Sequence, residues 1–110
     1  MEEIVFFVQG SSPEPYEVRF AKKGENLNAY CTCMAGEKGQ YCKHRFAILA
    51  GDTNAIVSDN KHQVQVAKSW LSGTDVELAL LDMVKAESEH EAAKKRFSEA
   101  KKNVARAMLR

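Results

Sequence analysis

Residues that interrupt regular structure are scarce in this chain: of 110 residues only two are proline and six glycine, and none of these lies beyond Gly73. The last third of the sequence therefore contains no helix breaker. Cysteines number three. An odd, small count cannot close into a set of intrachain disulfides, which argues against a secreted disulfide scaffold. No apolar run approaches the length of a membrane span. The longest near the start, Ile4-Val5-Phe6-Phe7-Val8, is too short for a signal-peptide core and has no basic lead. A cytoplasmic protein, or a nuclear one in a eukaryote, is expected, with no membrane partner. Charge of one sign is not in excess either, the formal net charge being +1. A dedicated nucleic-acid binder is usually far more basic, because phosphate neutralisation supplies much of its affinity. What remains, 45% apolar and 28% charged residues, is the composition of an ordinary globular domain.

Residues 4–9 read as a buried strand from their β-branched and aromatic side chains. Ser11-Ser12-Pro13-Glu14-Pro15 breaks it. Tyr16, Val18 and Phe20 alternate with Glu17 and Arg19, the pattern of a strand with one wet face. Lys23-Gly24-Glu25-Asn26 is a turn, after which Leu27 to Cys33 returns as a hairpin partner. Met34 to Tyr41 holds Gly36 and Gly39 and reads as a loop. Arg45 to Ala50 is a short helical run stopped by Gly51, and Ala55 to Val57 a small strand. Asn60 with Gln63 resembles a capping box, predicting a helix over 61–71 that Gly73 ends. Thr74 with Glu77 repeats that pattern, and the rest of the chain reads as one helix about 54 Å long. The expected fold class is α+β: a small antiparallel sheet with a metal-bound hairpin and short helix, then a helix and a long C-terminal helix. Residues 1–74 form the metal-binding domain in this reading, and 75–110 the helical element.

The metal assignment comes from one window. All three cysteines and one of the three histidines fall within 14 residues, as Cys31-Thr32-Cys33, eight residues, then Cys42-Lys43-His44. On an extended strand residues i and i+2 point to the same side, so Cys31 and Cys33 can aim both sulfurs at one point. Cys42 and His44 repeat the spacing where the chain enters a helix, and the glycines between let the loop fold back. Three thiolates and an imidazole suit tetrahedral Zn²⁺. Four protein donors leave no open corner, so such a zinc is structural. The competing readings are three buried free thiols beside a surface histidine, or a Cys31/Cys33 redox pair, for which the spacing is tight and no resolving motif exists. The spacings expected for an iron–sulfur cluster are missing. There is no His-Glu-x-x-His pair, no nucleophile elbow and no phosphate-binding glycine loop. A non-catalytic chain with no small-molecule substrate is expected.

Cys-x-Cys, a variable gap and Cys-x-His, with a hairpin before and Phe46-Ala47-Ile48-Leu49 after, resemble the SWIM zinc finger over residues 16–50. SWIM modules accompany chromatin-remodelling ATPases, Mutator-type transposases, a signalling kinase and recombination mediators. The resemblance implies a zinc-stabilised surface that binds DNA or protein. It carries over none of the larger catalytic activities, since no ATPase, transposase or kinase sequence is present here.

The C-terminal helix carries a seven-residue period. Val76, Met83, His90, Phe97 and Val104 recur at one heptad position, and Ala79, Ala86, Ala93, Ala100 and Ala107 three residues later, giving a stripe of alternating three- and four-residue steps. Antiparallel pairing of two copies would set each bulky residue against an alanine, from Val76 opposite Ala107 to Val104 opposite Ala79, the alternation that close packing favours. From 75 to 91 the helix holds six acids and one base, and from 92 to 110 seven bases and one acid. That asymmetry suits the helix dipole and makes antiparallel self-association attractive. The stripe is read as the seam of a homodimer or of a contact with another helical protein; packing on the chain's own zinc domain is the competing reading. His90 is a tolerated seam residue and His62 a surface one. Lys94, Lys95, Lys101, Lys102 and Arg106, with Lys43 and Arg45 beside the metal ligands, are candidate nucleic-acid contacts; the plainer reading is a solvated face. No aromatic interleaving favours single-strand stacking.

Overall fold

A computed structural model describes residues 2–109. The fold is α+β. Three strands, β1 (Glu2–Val8), β2 (Tyr16–Lys23) and β3 (Asn26–Cys31), form an antiparallel sheet in that order. They are followed by α1 (Met34–Glu37), α2 (Lys43–Leu49), a 3₁₀ turn (Lys61–Gln63), α3 (Val64–Ser69) and α4 (Asp75–Ala107).

The strand periodicity decides which face is buried. Ile4, Phe6 and Val8 of β1 and Val18 and Phe20 of β2 are buried, with Ile4 paired to Phe20 and Phe6 to Val18. Phe6 and Phe20 meet edge-on at 6.0 Å, a favourable aromatic geometry. Leu27, Ile48, Leu49, Ile56, Val64 and Ala67 complete the core. β1 is not buried on both faces as its apolar run suggests, because Phe7 points outward and is exposed. Gly24 and Glu25 alone join β2 to β3, and Gly24 has φ +59°, the value a tight hairpin needs at that position.

The outer edge of β1 is closed by residues 55–60. Val57 donates its backbone N–H to Phe7, Gln9 donates to Ala55, and Val8 bridges Ile56. The predicted strand at 55–57 is thus a single bridge. Ser58 accepts from the Phe7 N–H through its hydroxyl oxygen. The Asn60 amide donates to the Val5 carbonyl and to Gln63 Oε1, and its own oxygen takes the Ser58 hydroxyl. Engaged in this way, the Asn60 side chain caps nothing. The predicted 61–71 helix accordingly begins as a 3₁₀ turn and runs as α3 only to Ser69, where Trp70 and Leu71 tighten into three-residue bonds to Ala67 and Lys68. α2 ends in a Schellman closure: Gly51 (φ +91°) donates to Ile48 and Asp52 to Ala47.

By backbone proximity the chain divides into two compact units, the first ending at Val76 and the second beginning at Glu77. The second is α4 continued without interruption to Ala107, about 50 Å for the 33-residue helix. None of its residues is buried.

Candidate metal centre

Four different structural positions deliver the four donors. Cys31 ends β3, Cys33 is the N-cap of α1, Cys42 is the N-cap of α2, and His44 is the second residue of that helix. Cys33 therefore does not extend the hairpin strand. β3 stops at Cys31 because Thr32 turns the chain: its N–H donates to the Glu17 carbonyl while its hydroxyl oxygen accepts from the Glu17 N–H. The stretch from Met34 is also not all loop, since α1 occupies Met34–Glu37.

The ligating atoms of Cys31, Cys33, Cys42 and His44 all lie within 4.8 Å of one another and are buried. Cys33 Sγ and Cys42 Sγ are 3.4 Å apart, and His44 Nδ1 is 3.7 Å from Cys31 Sγ and 3.6 Å from Cys42 Sγ. Tetrahedral bonds of about 2.3 Å to sulfur and 2.0 Å to nitrogen require separations of roughly 3.8 Å and 3.5 Å. The cluster fits a four-coordinate cation, with Nδ1 as the imidazole donor. The other ring nitrogen, Nε2, is buried without a hydrogen-bond partner. It lies under Gly10, where a Cβ would come within 3.1 Å of it and 2.5 Å of the Tyr16 ring. Tyr16 itself lies against the His44 ring at a centroid distance of 5.0 Å.

The sulfurs receive backbone N–H groups, as thiolates holding a metal require. Cys33 N–H points at Cys31 Sγ at 3.5 Å, and Gly36 N–H donates to Cys33 Sγ at 3.3 Å. Without a cation the thiols differ sharply. Burial pushes the Cys31 thiol up to about 12. Burial acts in the same sense on Cys42, but the Arg45 backbone N–H and the surrounding Cys33, Cys31 and His44 groups outweigh it and bring that thiol down to about 6. Cys42 thus presents a negative charge to a cation more readily than Cys31 does. All three cysteines are free in this structure.

Gly36 and Arg45 carry the site in ways their sequence positions do not announce. A Cβ at Gly36 would stand 2.5 Å from the Cys31 carbonyl oxygen, so only glycine lets α1 pass over that ligand. Arg45, a candidate phosphate contact in the sequence, instead turns its guanidinium onto the Ala29 carbonyl at 3.1 Å and onto the Gln40 carbonyl. It clamps β3 and the ligand loop to α2. Beside it Tyr41 and Phe46 stack at 4.4 Å. Lys43 is exposed.

The seam residues sit on α4 with different exposures. Val76 and Met83 are half-buried; Ala79, Ala86, His90, Ala93, Phe97, Ala100, Val104 and Ala107 are exposed. Of the basic residues, Lys101 lies over the Phe97 ring at 4.6 Å, Lys102 pairs with Glu99 at 3.6 Å, and Arg106 donates to Asn103. Lys94 and Lys95 are exposed and have no ion-pair partner among the described residues. Among the described residues, no helix is long and apolar enough to cross a membrane.

Fold and cluster together define the class: an α+β module with a buried Cys₃His site able to bind a metal. In comparisons with known proteins, no family model, no curated protein and no solved structure matches the chain.

Proposed function

We propose that this chain is a SWIM-like, zinc-organised interaction module, non-catalytic and intracellular, that binds another helix, in a second copy or in another protein, through the seam of α4. The observation that carries the reading is the convergence of Cys31, Cys33, Cys42 and His44 from three separate elements onto one buried point. A thiolate-rich donor set of tetrahedral dimensions selects Zn²⁺. Bound there, the ion supplies no reaction. All four corners are taken by protein, and it ties the hairpin, α1 and α2 into one unit. The exposed, uninterrupted α4, with Phe97 and Val104 more than half exposed on its seam, supplies the partner-binding surface.

Elemental analysis combined with sedimentation of the purified protein tests this. One zinc per chain and association through α4, weakened by Ala93→Leu on the alanine edge of the seam, are expected. A metal-free native protein refutes the zinc reading, and failure to self-associate or to bind any helical partner refutes the seam reading.

A second reading, a DNA-binding accessory protein, is favoured by the cluster Lys94, Lys95, Lys101, Lys102 and Arg106 on one half of α4, with Lys43 next to the ligands. It requires salt-dependent binding, weakened by Lys101→Glu with Lys102→Glu. Absence of binding at low salt refutes it.

A further inference from the structure

We infer that the partner of α4 is a second copy of this chain lying antiparallel, held in register by two ion pairs that each occur twice: Glu87 with Lys94 of the second copy, and Glu89 with Arg96 of the second copy. The inference rests on the seam reading above and names the partner that reading leaves open.

The residues flanking the seam carry complementary charges. With Val76, Met83, His90, Phe97 and Val104 at the first heptad position, Glu87 and Lys94 fall on one flank and Glu89 and Arg96 on the other. Flanking residues set partner choice and orientation in paired helices. All four are exposed, and none has an ion-pair partner among the described residues. Reversing one helix against another brings like flanks together. In the register that sets Val76 against Ala107, Glu87 comes beside Lys94 and Glu89 beside Arg96, so these four flanking charges each meet their opposite. The two-fold axis passes between Glu91 and Ala92, and the interface is isologous, each surface complementary to itself.

Parallel pairing does not share this property. It would set Asp82 beside Glu87 and Arg96 beside Lys101, two repulsions against the single attraction of Glu89 with Lys94. A partner of different sequence is not needed to satisfy the pattern, because acid and base sit on the same helix at reciprocal positions. The apolar layers agree. Phe97 and Val104, exposed on the single helix, face Ala86 and Ala79 of the second copy and fill the room those methyls leave. An antiparallel pair also sets the two starts of α4 at opposite ends, about 50 Å apart.

The test uses the full-length, zinc-loaded chain in sedimentation equilibrium, with zinc content measured on the same samples. The wild type is expected to be a dimer. Glu87→Lys with Glu89→Lys in one chain, and Lys94→Glu with Arg96→Glu in another, should each weaken self-association by more than about tenfold. Mixing the two variants should restore dimers, since each then meets the opposite charge. These positions are exposed, so the helix content seen by circular dichroism should not change. Orientation is read by cross-linking: chains carrying Ala79→Cys mixed with chains carrying Val104→Cys should give the mixed disulfide, identified by mass, with the native thiols held by zinc. Cross-links of each variant only with itself would refute the antiparallel register. A wild type that stays monomeric at high micromolar concentration with zinc bound would refute the second copy while leaving the metal module standing. Loss of zinc from the native protein would refute the module itself.

Discussion

Gly36→Ala should damage the metal centre although it replaces glycine by the best helix former inside a helix. Two terms oppose each other. Within α1 at ordinary negative φ, alanine is favoured over glycine by about 1 kcal/mol. Against this, the new methyl would lie 2.5 Å from the Cys31 carbonyl oxygen and 2.7 Å from the Cys31 Cβ, separations that force one backbone segment to move. Overpacking of this kind costs about 1–3 kcal/mol or more, and here the obstacle is backbone, so the upper figure applies. The net loss is about 2 kcal/mol, or roughly 30-fold in metal affinity. Cys31 must give way by about half an ångström, more than the tolerance of about 0.2 Å on metal–ligand distances. The assay is competition with a chromophoric chelator at fixed pH. Gly24→Ala is the control: it forces a left-handed alanine at about 1–2 kcal/mol, but meets nothing within 4 Å and lies at the far end of the hairpin. It should lower thermal stability without altering the coordination geometry. If Gly36→Ala binds zinc within threefold of the wild type, the close passage of α1 over Cys31 is not what holds that ligand.

Arg45→Leu removes both guanidinium bonds and leaves the Ala29 and Gln40 carbonyls without their donor, costing about 1–3 kcal/mol in urea unfolding; Arg45→Lys should rescue little, because an ammonium cannot span both acceptors. An unchanged unfolding midpoint would contradict the clamp. Metal affinity should fall as pH falls. A thiol must lose its proton to bind, so Cys31, at about 12, releases one at any neutral pH, whereas Cys42, at about 6, begins to compete with protons only as the pH drops through that value. Chelator competition from pH 5 to 8.5 should therefore give a slope that steepens below about 6, and a pH-independent affinity would contradict it.

The hairpin was legible because its signals are local: Tyr16, Val18 and Phe20 alternate, and Gly24 supplies the turn. The clustering of Cys31, Cys33, Cys42 and His44 was legible from spacing alone. Their delivery was not. The i, i+2 argument placed Cys33 on the strand with Cys31, whereas the Thr32–Glu17 pairing ends β3 and hands Cys33 to α1. That pairing joins residues 15 apart, and no local pattern encodes it. Asn60 misled for the same reason. As a capping residue it would serve the following turn, but Val5, 55 residues earlier, offers its carbonyl instead. Arg45 reads as a surface cation in any one-dimensional view. α4 was legible over most of its length, since helix formation there needs only the absence of glycine and proline and the dipole-matched charges; its end at Ala107, short of the expected helix over 75–110, carries no such signal.

The stretch from Ala55 to Asn60 has an effect on behaviour in concentrated solution. A short sheet normally leaves two rows of unsatisfied amides and carbonyls onto which a neighbour's strand could add. Here the Val5 carbonyl, both backbone groups of Phe7 and the Gln9 N–H are engaged by that stretch, and on the opposite side Arg45 occupies the Ala29 carbonyl. Strand-by-strand growth into fibrils finds a shortened template at the first margin and an obstructed one at the second, a safeguard for a molecule with so small a β-layer.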